Sequence, residues 1–235
     1  MIINIIMCDA DIVLTLICYI WICLLLLGFF MRKLLLMLLL TTLNLTRVNA
    51  QTLQAVQIYS DNQLLDLIKE NKHLSQVLLD KCQLIPDIEA RAIKAEMPSY
   101  QFLWGDMLAY GVCIKKDVTL GLHYMRLAAD QGLPEGLEQL GRYYHIGKFM
   151  QVDIEKAIIY LKVAADSHNL AAQMRLADIY YQGYGSPLDY PKLYSQLHHS
   201  ITGDKVTHKE ITKLLDALGE KMPERVLNEA KKVSY

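Results

Sequence analysis

The stretch WGDMLAYGVC, Trp104 to Cys113, places a carboxylate, a phenol and a thiol (Asp106, Tyr110, Cys113) within ten residues. Together they could form a nucleophile with an acid–base partner. A catalytic thiol needs a histidine at a matching position, and none is spaced for it. Serine acylation would need Ser-x-x-Lys and Lys-Thr-Gly, and the chain has neither. His198 and His199 are adjacent, so on a helix they point in different directions and chelate poorly. Gly183, Gly185 and Ser186 form a turn with Pro187 and lack the glycine and lysine spacing of a phosphate-cradling loop. No catalytic residue, metal site, cofactor or small-molecule substrate is expected, and an exported hydrolase is the weakest reading.

The elements that would position these residues explain them better. Trp104, Leu140 and Leu176 lie 36 residues apart, as do Gly105, Gly141 and Ala177, then Leu108, Tyr144 and Tyr180, then Gly111, Gly147 and Gly183. Asp117, Asp153 and Asp189 keep the step, and Ala128-Ala129 recurs as Ala164-Ala165. Such a period marks stacked helix pairs. The small residues allow a neighbouring helix to approach, and the glycines fit the left-handed residue ending the first helix of each pair. The aspartates stand where the second helix begins, accepting its unpaired N–H groups. Trp104, Gly105, Leu108 and Gly111 are therefore architectural. Asp106 does not recur at the next repeat, where Arg142 stands, and reads as a carboxylate on a solvated helix face.

Two apolar runs precede this body. Residues 31–50 have the grammar of a secretory signal: Arg32-Lys33, an apolar stretch through Leu40, then Val48-Asn49-Ala50 before Gln51. Residues 1–30 then read as an over-extended start, with initiation at Met31 and cleavage after Ala50; the alternative makes Ile12 to Phe30 a membrane anchor. The remaining 185 residues carry 21 basic and 23 acidic side chains, a net charge of about −2 with no basic cluster for nucleic acid.

Of five cysteines only Cys82 and Cys113 lie in that remainder, and an even count in an exported chain favours a disulfide. Pro86 to Glu96 reads as a helix placed like the second member of an incomplete repeat. If it runs antiparallel to a helix over about Ser99 to Tyr110, the two cysteines come together; the alternative is two buried thiols. The chain thus divides into 51–85, with one helix near Gln63 to Glu70, a repeat array over 86–202, and capping helices over 203–235 at Thr207 to Gly219 and Glu224 to Lys231.

The pattern Leu140-Gly141, Tyr144, Gly147, Asp153, Lys156-Ala157 and Ala164-Ala165 resembles the Sel1-like repeat, a relative of the tetratricopeptide repeat. The resemblance implies an all-α, right-handed α-solenoid used for protein contact. If first helices line its concave face, the free positions are Phe102, Asp106 and Ala109, then Glu138, Arg142 and His145, then Met174, Asp178 and Tyr181. The strings YQFLWGDMLAYGVC, LEQLGRYY and YGSPLDY, with Cys82-Gln83-Leu84 and Asp87 to Arg91, are more specific and resemble the MotX-like family of polar flagellar motor proteins. That resemblance implies a non-enzymatic periplasmic scaffold at the flagellar basal body. Its partners would be a MotY-like protein, with which it forms the T ring, and stator proteins of the PomA/PomB type. A generic periplasmic Sel1-repeat adaptor for envelope signalling or stress is the alternative.

Overall fold

A computed structural model describes residues 57–233; the 31–50 signal and the 12–30 apolar run lie outside the described residues. Ser60 opens the first helix, α1 (Asp61–Lys69), through a capping box: its hydroxyl accepts from the Gln63 N–H, and the Gln63 side chain accepts from the Ser60 N–H. A short helix that the sequence reading did not foresee, α2 (His73–Leu79), precedes α3 (Ile85–Ile93).

Three helix pairs follow: α4 (Pro98–Tyr110) with α5 (Val118–Asp130), α6 (Pro134–Ile146) with α7 (Ile154–Asp166), and α8 (Leu170–Tyr181) with α9 (Tyr190–His198). The last is entered through a 3-10 turn at Pro187–Asp189, and α10 (Lys205–Gly219) and α11 (Glu224–Ala230) close the array. The described residues form an α-solenoid without strands.

The period has local causes. Pro98 and Pro134 open α4 and α6, where a missing N–H costs nothing. Gly111 and Gly147 end those helices at φ 75° and 69°, a left-handed conformation that penalises any residue with a Cβ. Asp117 and Asp153 cap α5 and α7, accepting from the N–H groups of Leu120 and Lys156 at 2.9 and 3.0 Å. The backbone N–H of Lys156, then its ammonium, holds the Asp153 carboxyl below the usual range. Asp189 departs from the rule. Pro187 opens the 3-10 turn with Ser186 as its cap, so Asp189 instead accepts from Lys162 Nζ at 2.7 Å.

Close approach is centred on glycine. A Cβ on Gly105 would lie 2.8 Å from the Gly121 carbonyl oxygen, and one on Gly121 would lie 2.6 Å from that of Gly105. α4 is buried on every side from Ser99 to Ala109, because α3 and α5 flank it while α1 and α2 pack on it too. Its neighbours form one apolar cluster around Ile88, Leu103 and Met107. A second cluster, around Leu140, Leu161, Tyr180 and Leu197, spans the later helices.

Candidate docking surface

Asp106 is the reactive side chain of the opening stretch that the fold treats most unexpectedly. It is 1% exposed, and its Oδ2 lies 2.7 Å from Nε2 of His73, itself 3% exposed. This corrects both expectations for Asp106, a solvated face and a free binding position. Phe102 is corrected likewise: it is buried, with the His73 ring packed edge-on at 5.5 Å. The cause is the same in both cases. α1 and α2 lie over the first helix of the first repeat, so a face drawn from the repeat pattern alone is already occupied. Ala109 is buried as well.

The carboxylate also faces the second repeat. Its Oδ1 accepts from Nε2 of Gln139 and the hydroxyl of Tyr143, each at 3.4 Å, and Gln139 Nε2 donates to that hydroxyl at 2.6 Å. The Arg142 guanidinium donates to Oε1 of Gln139 and lies 5.1 Å from the Tyr143 ring centroid. Burial, then the Asp106 charge, pushes the Tyr143 hydroxyl far above the usual phenol range. The hydroxyl donates to Asp106 and accepts from Gln139.

Cys82 and Cys113 are joined, with their Cα atoms 5.7 Å apart. The thiol of the opening stretch is therefore a staple between the α2–α3 turn and the α4–α5 turn. α1 is pinned from its other end: Ser99 donates to Asp61, Tyr100 donates to the Tyr59 carbonyl, and Tyr59 donates to Asp80.

What remains open is a groove of about 750 Å³ walled by α1, the face of α6 and the start of α8. Three of the foreseen positions, the buried Phe102 with Glu138 and Arg142, line it. Glu138 Oε1 accepts from Arg175 Nε at 3.3 Å. Met174 and Asp178 instead line a shallower depression of about 470 Å³ completed by Glu210, Lys213 and Leu214 of α10. Tyr181 is half exposed, with Lys221 Nζ 5.3 Å from its ring centroid. His145 is half buried with Nδ1 unpaired, and burial, then Arg175, holds its imidazole below the ordinary value. The foreseen positions thus split: Phe102, Glu138 and Arg142 line the groove and Met174 and Asp178 the depression, while Asp106, Ala109, His145 and Tyr181 line neither. The contribution of α1 and α10 to their walls was missed, since neither helix belongs to the repeat.

His198 and His199 are set edge to face, and His199 Nδ1 donates to the Ser195 carbonyl at 2.8 Å. Among the described residues no group of three or more His, Cys, Asp or Glu is arranged to hold a metal, and no helix is long and apolar enough to cross a membrane.

Comparison with known proteins gives three results. The Sel1 repeat profile matches residues 98–133, 134–169 and 170–192, whose starts coincide with Pro98, Pro134 and Leu170 at the heads of α4, α6 and α8. The sodium-type polar flagellar protein MotX of Vibrio parahaemolyticus is 49% identical over 177 residues, which is 75% of this chain and 84% of that protein. Among solved structures, a Sel1 repeat protein from Oxalobacter formigenes aligns with a TM-score of 0.45 at 22% identity, over 55% of this chain and 97% of that one. The protective antigen c5321 of uropathogenic Escherichia coli, with an SLR fold, aligns at 0.30 and 17%, over 73% and 54%.

Proposed function

The chain belongs to the family of the sodium-type polar flagellar protein MotX, built on Sel1 repeats, and from that premise we propose that it is a non-enzymatic scaffold of the polar flagellar motor. In this reading it works in the periplasm at the basal body. It forms a ring with a MotY-like partner and helps recruit and hold stator units of the PomA/PomB type. The mechanism is placement: a stapled helical body presents fixed depressions to partners, and their binding free energy holds a stator where torque can be applied. The observation that carries this reading is 49% identity across 84% of the length of a protein bearing that name.

The test is swimming and flagellar staining in a strain deleted for the gene, complemented with the whole reading frame and with a version starting at Met31. Non-swimming cells that retain a filament, rescued by both versions, are expected. Normal swimming in the deletion strain would sink the motor assignment, and loss of filaments would move the role from rotation to assembly.

A further inference from the structure

We infer that the groove between α1, α6 and the start of α8 receives an acidic peptide segment of a partner protein, with Arg142 as its anchor. The argument begins with an imbalance. Arg175 has a carboxylate, Glu138, but Arg142 donates only to the neutral amide of Gln139, and among the described residues no carboxylate lies within ion-pair distance of it. A half-buried guanidinium stacked on Tyr143 is already oriented and partly stripped of water, and its remaining N–H donors match a carboxylate better than any other side chain.

The other charges of the groove support the same sign. Lys69 stands on the α1 wall and also has no carboxylate within ion-pair distance among the described residues. Of the two groove carboxylates, Glu138 is bound to Arg175, and Glu135 sits in the first turn of α6, where the helix N-terminus favours negative charge. The first turn of α8 forms another wall; Asn169 satisfies the Ala172 N–H, while the first N–H groups of a helix have no partner within it.

An independent observation comes from His73. It lines the groove, is 3% exposed, and leaves Nδ1 buried without a hydrogen-bond partner. Such a group is paired in most folded proteins, so it is an unmet hydrogen-bonding demand at the groove wall. Between these polar groups lie Leu65, Ile68, Leu133 and Leu170. A groove of about 750 Å³ with apolar walls between cations fits a segment alternating acidic and apolar side chains better than a free anion.

The inference rests on the groove and not on the motor reading, and the two fail separately. The test uses the full chain purified with its disulfide intact. The probes are short labelled peptides of alternating glutamate and leucine, glutamine and leucine, or lysine and leucine, followed by fluorescence anisotropy. The glutamate peptide is expected to bind saturably and to weaken as salt rises. Arg142→Ala is expected to weaken it about tenfold or more, and Lys69→Ala less. Arg142→Lys, which keeps the charge and loses the planar fork, is expected to fall between. Lys209→Ala on exposed α10 serves as control, and thermal melts confirm that each variant is folded. Equal binding of the glutamine peptide, preference for the lysine peptide, no saturable binding of the glutamate peptide, or indifference to Arg142→Ala would each overturn the proposal.

Discussion

A buried carboxylate is tolerated only with partners, and Asp106 draws its own from two other helices: His73 on α2, and Gln139 and Tyr143 on α6. Removing the carboxylate leaves His73 without a partner, while Gln139 and Tyr143 keep each other. Asp106→Leu strands the His73 imidazole with neither ring nitrogen paired among the described residues, and should cost about 3–5 kcal/mol by denaturant titration. Replacing both groups with apolar residues of similar volume, His73→Phe with Asp106→Leu, should recover most of that loss, since a dry pair of hydrophobes needs no partners. A double variant as unstable as the single one would mean that the pair is required for packing and not merely tolerated. The sequence carried little sign of this bond. His73 and Asp106 are 33 residues apart, and nothing in the repeat pattern says that a helix outside the array will cover the first repeat.

At the scale of elements the period was legible because each conserved-step residue has a local physical task. Asp117 and Asp153 cap, Gly111 and Gly147 terminate, and Gly105 lets α4 and α5 touch backbone to backbone. Position 189 was illegible for a local reason too: Pro187 moves the start of the turn, and the aspartate turns to Lys162. α2 gave no signal, being a seven-residue helix without a capping side chain. The glycine contacts allow a discriminating experiment. At Gly105 a methyl group meets the Gly121 carbonyl at 2.8 Å, and a backbone oxygen cannot step aside without moving its helix. Gly105→Ala should therefore destabilise by about 1–3 kcal/mol despite the gain in helix propensity. Gly219→Ala is the counter-case. Its new methyl meets only side-chain atoms at 3.6 Å or beyond, so it should be neutral or stabilising by up to about 1 kcal/mol. Equal thermal shifts for the two variants would show that the α4–α5 contact is looser than the structure has it.

The whole described body has two apolar clusters, and the covering helices depend on the first of them. α1 and α2 are held to the array by a few named contacts: the start of α1 through Tyr59, Asp61 and Ser99, the start of α2 through His73–Asp106, and the turn after α2 through Cys82–Cys113. The groove borrows one wall from α1, so its shape is coupled to that attachment. The disulfide spans a sequence separation of 31, and cutting a loop of that size should lower global stability by about 3–4 kcal/mol, chiefly by freeing the unfolded chain. The loss should also be uneven. In a Cys82→Ser, Cys113→Ser variant the amide protons of α1, α2 and α3 should exchange much faster, while those of α6 to α9, packed in the other cluster, should keep most of their protection until global unfolding. Hydrogen exchange with mass spectrometry reads both outcomes at once. Uniform acceleration would mean that the two clusters unfold as one unit, and unchanged protection in α1 and α2 would assign their attachment to the Asp106 bond and the apolar cluster alone. In the expected case, loosening this staple also loosens the α1 wall, so affinity in the groove should fall in the same variant without any change to Arg142.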